Sequence, residues 1–257
     1  MAGRRSSSAR SPLSKSGDWE ECSVPHSRLI KLQTQGLLPP AFMVPVRAGV
    51  ATYNGGEQAE RSPNPSPEER ICLIPHLLRG LGFPIHPFLR GLLEFYGLQL
   101  HNFTPASVLH IAGYVALCEL FLGCEAHFGL WKKLFCLVPR NQGESLCQVG
   151  RAEVWRIAET GYLSGTPKKA PENWASEWFY IDDVPLLDPV RIGLPKFSNV
   201  PPRARLSWCP RGPQEEDTRE IHFLMSRIKL LAQSRLMIVE VMAICIMWGV
   251  QTLQYRG

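Results

Sequence analysis

The group of residues most suggestive of chemistry is Tyr180-Ile181-Asp182-Asp183. A Tyr-x-Asp-Asp turn can present two carboxylates to a pair of metal ions, which activate a hydroxyl group and stabilise a leaving phosphate. That chemistry also needs a further aspartate from an upstream strand, and the sequence has no aspartate between Asp18 and Asp182. A short sequence motif indicates a function only when its structural context also fits that function. We therefore predict an aromatic strand that enters a polar turn, and no catalytic residues.

A second group contains residue types that bind zinc, namely Cys118, Cys124, His127 and Cys136. Structural zinc sites usually place paired ligands two to four residues apart on a turn. Cys118 instead falls inside a predicted helix, and Cys136 follows an apolar position in another. The eight cysteines are dispersed along the chain, as is typical of free thiols in a reducing compartment. We predict buried thiols here, no bound metal and no cofactor.

The best candidates for contact with nucleic acid are cationic residues in a proline-rich region: Lys168, Lys169, Arg203, Arg205 and Arg211. Three tryptophans in the same region, Trp174, Trp178 and Trp208, could stack on bases. However, acidic residues are interleaved with these cations, and the whole chain carries a formal charge of only +5. Affinity for nucleic acid scales with the number of phosphates neutralised. Solvated loop charge is the favoured interpretation, and nucleic-acid binding is the alternative.

The elements that must position these residues are organised around an apolar, low-charge stretch, residues 66–138. Residues that typically begin and end helices recur along this stretch and predict a compact core of about four helices. The first begins at Ser66-Pro67 with a Ser-x-x-Glu capping box and is kinked or shortened by Pro75. The others are bounded by Pro87 and Gly97, by Thr104-Pro105 and Gly123, and by Glu125 and Pro139.

The remaining segments complete a fold that we predict to be mainly α (α+β), with a small β element and a C-terminal helical pair. We expect a disordered tail over residues 1–21 and a single domain over 22–257. Its parts are a short helix within 22–38, a loop over 39–65, the helical core 66–138, a β/loop segment 139–213 and C-terminal helices within 215–250. In the β/loop segment, polar and apolar residues alternate over 149–157, and aromatic residues are concentrated over 174–181. These patterns predict two strands that could pair.

The segment Leu236–Val250 is the strongest membrane candidate in the sequence. It has fifteen residues and includes Glu240, so it is shorter than the roughly 20 residues that span a bilayer. A buried core helix is the better interpretation. The N-terminus is rich in arginine and serine and has no apolar signal region. We therefore expect an intracellular protein, nuclear or cytoplasmic, that is neither secreted nor bound to a membrane.

Several motifs in a fixed order resemble the putative gypsy-type transposon domain family of plant genomes. They are Pro-x-His-x-Phe at 84–88, Cys-Glu-x-Phe-Leu-Gly at 118–123, Leu-Trp-Lys-x-Leu-Phe at 130–135, Trp-x3-Trp-Phe-Tyr-Ile at 174–181, the segment 203–208 and the closing residues 250–257. The resemblance covers roughly residues 22–256. The sequence departs at Gln251-Thr252-Leu253, where relatives tend to have Gln-Pro-Leu, and it lacks their charged tail, as expected of a degenerate or truncated copy.

The resemblance implies a transposable-element-derived protein related to gypsy-class retrotransposons, with no assigned catalytic residues. Together with the surplus of apolar helical surface, especially over 236–250, it predicts a non-enzymatic structural or interaction module. Such a module would be Gag-like and would pack its helices against copies of itself or a protein partner. The alternatives are a nucleic-acid-binding remnant of a transposition protein and an inactive, decaying copy.

Overall fold

The computed structural model describes residues 19–53, 56–140, 149–158, 160–165, 171–183, 192–200, 202, 219–247 and 251–255. Within these ranges the chain is a mixed α+β fold with helices and small sheets. The expected α+β character is therefore present, but strands contribute more than the predicted small β element.

The described helices are seven in number, and most are short. They are α1 (His26–Thr34), α2 (Ile74–Leu77), α3 (Pro87–Tyr96), α4 (Pro105–Ala116), α5 (Phe128–Leu134), α6 (Arg219–Gln233) and α7 (Ile238–Met247). A π-helical segment, Leu117–Leu122, continues α4 directly. Short 3-10 turns occupy Leu100–Asn102 and Trp174–Ser176.

The described strands form three antiparallel sheets. They are β1 (Val46–Ala48), β2 (Val50–Tyr53), β3 (Gly56–Ala59), β4 (Glu69–Leu73), β5 (Phe135–Pro139), β6 (Ala152–Arg156) and β7 (Trp178–Asp182). One sheet has the order β1-β7-β4, and the other two are the pairs β2-β3 and β5-β6. The two strands predicted after residue 139 are both present as β6 and β7. Their predicted pairing is wrong, because β6 pairs with β5 and β7 lies between β1 and β4.

Local capping chemistry fixes the ends of α3 and α4 as the sequence predicts. The Thr104 hydroxyl accepts a hydrogen bond from the Ser107 N–H at 3.2 Å, and Pro105 occupies the first turn. Gly97 and Gly123 follow the two helical segments with φ of +63° and +68°, in the left-handed region that glycine adopts without strain. These two helices are confirmed.

The first predicted helix is wrong, because residues 69–73 form strand β4. The Glu69 carboxylate does accept a hydrogen bond from the Ser66 N–H at 2.8 Å, as in a capping box. The turn nevertheless leads into a strand whose five residues are all buried. A strand buried on both faces has a continuous apolar run that resembles a buried helix in sequence. Pro75 lies in the first turn of α2, where its missing N–H costs nothing.

Residues 39–65, predicted as a loop, contain β1, β2 and β3. Strand β2 pairs with β3 in a register that joins Val50 to Ala59 and Tyr53 to Gly56. The sequence between these strands is Asn54-Gly55, which is the strongest short-range signal for a β-hairpin. The sequence reasoning overlooked that signal.

The folded part of the chain begins before the predicted tail boundary at residue 21. The ring of Trp19 lies 5.9 Å from the ring of Trp178 and 5.0 Å from that of His101. The indole N–H of Trp178 also donates to the Glu20 carbonyl at 2.9 Å. Residues 1–18, predicted to be disordered, lie outside the described residues.

Helix α7 packs inside the fold, against α4. Ile238, Val241 and Met242 are buried, and a Cβ added at Gly113 of α4 would lie 2.7 Å from the Ile238 Cδ1 atom. In the described part of the segment 236–250, these apolar side chains therefore pack within the chain. Of the described helices, Pro105–Leu122 is long and apolar enough to cross a membrane, and 67% of it is buried, as in a core helix.

Candidate functional site

The Tyr180–Asp183 segment lies in the middle of the three-stranded sheet, and its last carboxylate belongs to a buried ion pair. Asp183 accepts a hydrogen bond from the Arg70 Nη2 atom at 3.0 Å. The two side chains expose only 6% and 8% of their surface. Arg70 also donates to the carbonyl oxygens of Pro67 and Leu194. Arg70 therefore neutralises the Asp183 charge and ties the end of β7 to neighbouring segments.

Tyr180 is held by a second set of polar contacts around Arg47. The Tyr180 hydroxyl donates to the Glu60 carboxylate, and the Arg47 guanidinium lies 3.7 Å from the tyrosine ring centroid. Arg47 bridges Glu60 at 2.7 Å and Glu69 at 2.7 and 3.0 Å. Burial raises the pKa of the Tyr180 hydroxyl, and the hydrogen bond to Glu60 raises it further. This tyrosine stays protonated and acts as a structural donor.

Strands β4 and β7 bring two carboxylates together, because Glu69 and Asp182 lie opposite each other in the strand register. Burial raises the pKa of Asp182, and the negative charge of Glu69 raises it further. For Glu69, burial favours a higher pKa, but the hydrogen bonds from Arg47 and Ser66 outweigh it and the pKa is lowered. Within the described ranges, no three or more His, Cys, Asp or Glu side chains are grouped to hold a metal ion. The acidic residues here are arranged as an ion-pair network.

The predicted zinc-type group is only partly brought together. Cys118 and Cys124 interact through their thiols, and burial raises the pKa of Cys118 to about 12, so its thiol is protonated at neutral pH. The His127 Nδ1 atom accepts a hydrogen bond from the Leu130 N–H at 3.2 Å and so caps α5. Cys136 lies in β5. Cys22, Cys72 and Cys118 are buried free thiols, as predicted, whereas Cys124 is a free thiol that is only partly buried.

The histidines of the central segment have structural positions. Burial lowers the pKa of His76 to about 3 and that of His101 to about 3, so both are neutral in the core. His86 caps α3 through its Nδ1 atom and contacts Glu119 through Nε2 at 2.8 Å.

Most of the predicted nucleic-acid contacts lie outside the part of the chain that the structure describes. They are Lys168, Lys169, Arg203, Arg205, Arg211 and Trp208. Trp174 and Trp178 are buried, so the prediction that these two could stack on bases is wrong. Aromatic residues beside cations suggest stacking, but here these two rings fill the core.

A polar cleft of about 650 Å³ lies between α4 and β6, and we call it the α4–β6 cleft. Ser107 and His110 of α4 form one wall, and Trp155 and Arg156 of β6 and Tyr162 form the other. The Ser107 hydroxyl joins the walls, because it accepts from the Val154 N–H at 3.0 Å and donates to the Ala152 carbonyl at 3.2 Å. Sequence reasoning missed Trp155, although alternation along β6 could have indicated an outward tryptophan.

A second cleft of about 850 Å³, the α3 groove, lies between α3 and residues 193–196. Arg90 and Glu94 of α3 line one side, and Lys196 lines the other. The buried Arg70–Asp183 pair lies at the base. The backbone of Gly193 lies against the Arg90 guanidinium, since an added Cβ would be 2.5 Å from its Nη2 atom.

Residues 71–139 match the family described as putative gypsy type transposon. The resemblance stated from the motifs is thus confirmed over this segment. No curated protein and no solved structure matched the chain significantly.

The matched residues 71–139 supply one wall of each cleft. They contain α3 and α4 and end with β5, whereas β6 and residues 193–196 come from the chain that follows. Over these residues the chain is similar to sequences described as putative gypsy type transposon. This similarity assigns no role to either cleft.

The solvent face of α6 carries the most prominent pair of exposed apolar side chains on one helix. Phe223 is 61% exposed and Leu230 is 64% exposed. They are seven residues apart, which places them on one side of a helix. Ile221, Leu224 and Ile228 form the opposite, buried side. The sequence predicted a helix in this region and did not single out the exposed pair.

Proposed function

We propose that this chain, which the family match indicates to be derived from a transposable element, is a non-enzymatic structural or interaction module. Its role is Gag-like in that it associates with copies of itself, and it does so through the solvent face of α6. The observation that carries the proposal is the pair Phe223 and Leu230, each more than three-fifths exposed. Paired apolar side chains on the outer face of a helix are a common feature of interaction surfaces.

A charged residue, Arg227, lies between the two apolar residues, and its side chain already forms hydrogen bonds within the chain. Arg227 lies one turn from each of them, and its guanidinium donates to the Leu122 carbonyl at 2.8 Å and the Phe121 carbonyl at 3.4 Å. Its guanidinium carbon also lies 5.9 Å from the Phe223 ring centroid. The arginine therefore points toward the π-helical segment. Between Phe223 and Leu230 the outer surface carries the uncharged Ser226, whose hydroxyl donates to the His222 carbonyl at 2.9 Å.

A second copy of this chain fits the face because the face is self-complementary. In an antiparallel pair of α6 helices related by a two-fold axis near Ser226, Phe223 of each copy lies opposite Leu230 of the other. The same pairing places Glu220 opposite Gln233, so no like charges oppose each other at the ends of the contact. An isologous contact of this kind closes as a dimer.

The size of the patch limits how tight this association can be. Fully burying a large apolar side chain contributes about 1.5–3 kcal/mol, so the four partly exposed side chains of a dimer contribute roughly 4–7 kcal/mol. Association costs roughly 4–15 kcal/mol in lost translational and rotational freedom. Even the most favourable balance, about 3 kcal/mol, corresponds to a Kd of several millimolar. We therefore expect weak association that becomes detectable only near about 1 mM.

Sedimentation equilibrium of the full chain from about 10 µM to 1 mM tests the proposal. The wild-type mass should rise with concentration, and the double variant Phe223→Ser/Leu230→Ser should remain monomeric. Phe42→Ser is the matched control, because Phe42 is 74% exposed and lies far from α6 in sequence, and it should behave as wild type. A wild-type protein that stays monomeric throughout, or a double variant that associates equally, would overturn the proposal.

A further inference from the structure

The α4–β6 cleft has a size and a rigidity that suit a small ring-bearing ligand. Its volume of about 650 Å³ lies within the range of small-molecule sites. The Ser107 hydroxyl also bonds the Thr104 hydroxyl at 2.9 Å, in addition to its two contacts with β6. The helix and the strand are thereby fixed to each other, so the cleft is preformed.

One wall of the cleft ends in an exposed aromatic ring. Trp155 is 54% exposed, and its indole N–H donates to the Glu153 carboxylate at 3.2 Å. That contact holds the indole in one orientation at the rim. A planar ring held in place at the edge of a cleft is a stacking surface for another planar ring, and stacking does not depend on the identity of the base.

Inside the cleft, His110 supplies hydrogen-bonding capacity that the fold does not use. Burial, together with the smaller effect of the nearby Arg156 charge, lowers the pKa of His110 to about 4, so the ring is neutral at pH 7. A neutral imidazole has one donor and one acceptor nitrogen. The Nδ1 atom is buried and has no hydrogen-bond partner within the described ranges, and such an atom is costly unless a ligand or water satisfies it.

Two exposed cations lie at the rim of the cleft, beside the carboxylate of Glu153. Arg156 lines the cleft, and the stem of Lys229 packs against Gly161, another lining residue, where an added Cβ would lie 2.8 Å from the Lys229 Cγ atom. Neither cation forms an ion pair with a described carboxylate, and Glu153 instead contacts Arg140 at 3.7 Å. The Arg156 Nη1 atom donates to the Leu163 carbonyl at 2.7 Å, which holds its guanidinium at the rim. Two exposed cations beside a stacking ring match a phosphate attached to a base.

We propose that the α4–β6 cleft binds a nucleotide unit, with its base stacked on Trp155 and hydrogen-bonded to His110, and its phosphate at Arg156 and Lys229. This inference goes beyond the self-association proposed for α6 and does not depend on it. The unit comes either from a free nucleotide or from a single strand of nucleic acid, and the chemistry recognised is the same.

The binding test uses the full chain at low micromolar concentration and low salt. Fluorescence anisotropy of a fluorescein-labelled 20-nucleotide oligothymidine measures strand binding, and isothermal titration with uridine monophosphate measures free-nucleotide binding. Trp155→Ala should weaken binding by about 5- to 150-fold, the range expected for the loss of one stacked base. Trp155→Phe should retain most of the affinity, and Phe42→Ala, an exposed aromatic residue elsewhere, should change nothing.

The outcomes distinguish a free nucleotide from a nucleic-acid strand, and they test nucleotide binding separately from self-association. Tighter, salt-dependent binding of the oligonucleotide indicates a strand as ligand, with the salt dependence reduced by about one phosphate contact in Arg156→Gln. Equal binding of both probes indicates a free nucleotide. Failure of the wild type to bind either probe, or unchanged binding by a folded Trp155→Ala variant, would overturn the inference. The Phe223→Ser/Leu230→Ser variant should bind as wild type, so this result is independent of self-association.

Discussion

Replacing the two aspartates of the Tyr180–Asp183 segment one at a time should distinguish their structural roles. Asp183→Ala removes one partner of the ion pair with Arg70, whose nitrogen lies 3.0 Å from the carboxylate. Asp182→Asn removes a half-buried carboxylate that faces Glu69 across the sheet. The first change leaves a buried positive charge without its partner, whereas the second removes a repulsion between like charges.

The expected magnitudes differ by nearly an order of magnitude. With the charge centres about 4 Å apart, the Coulomb attraction is about 4 kcal/mol at an effective dielectric constant near 20. Loss of one partner from a buried pair costs about 3–5 kcal/mol. In a chain of this length 1 kcal/mol shifts the melting temperature by about 2–4 °C, so Asp183→Ala should melt about 6–20 °C lower. Asp182→Asn keeps the size of the side chain and removes the repulsion from Glu69, so we expect a change of at most about 0.5 kcal/mol, or about 2 °C.

Differential scanning calorimetry of the wild type and both variants, with and without magnesium chloride, provides the measurement. An unchanged melting temperature in Asp183→Ala would refute the buried pair, and an equal loss in Asp182→Asn would refute the difference in environment. A rise in wild-type melting temperature with Mg²⁺ that both variants abolish would assign the carboxylates to a metal ion instead.

Acid should destabilise the fold, because the neutral His76 and His101 have pKa values of about 3 when folded and near 6.5 when unfolded. The stability that these neutral histidines contribute is complete above pH 6.5 and is lost as the pH falls toward 3. For the pair, the loss between pH 7 and 5 is about 4 kcal/mol. Urea unfolding at both pH values should detect this loss, and the exposed-site variant His26→Gln should show the same loss. Two glycines should respond oppositely in thermal melts: Gly91→Ala on open helix surface should stabilise by about 0.5–1 kcal/mol, whereas Gly113→Val against Ile238 should destabilise by about 1–3 kcal/mol. A stable Gly113→Val variant would contradict the α4–α7 packing.

The helices α3 and α4 could be predicted because their ends are fixed by residues within one turn. Thr104 and Gly97 act locally, so the sequence contains the whole signal. The strand β4 could not be predicted in the same way, because the run Ile71-Cys72-Leu73 suits a buried helix as well as a buried strand. Its conformation depends on pairing with β7, which places Ile71 opposite Tyr180, and no local pattern specifies that distant partner.

The candidate surfaces also differ in whether nearby residues in sequence reveal them. The exposed Phe223 and Leu230 could have been found from a helical wheel of α6, since they lie opposite its buried side. The α4–β6 cleft could not, because it joins His110 to Trp155 from separate parts of the chain. The sequence offered Trp178 as a possible stacking ring, because its proximity to charged residues in sequence did not indicate that it is buried.

The family match covers a segment that cannot complete its own sheets. Strand β4 opens the matched residues 71–139 and pairs with β7, and β5 closes them and pairs with β6. Helix α4 likewise packs against α7 through Gly113. Each of these partners lies after residue 139, so the matched segment requires the rest of the chain to bury its apolar residues. Both clefts have one wall inside the match and one outside it. The nucleotide binding proposed for the α4–β6 cleft therefore depends on Trp155, which lies outside the matched segment, as much as on His110 within it.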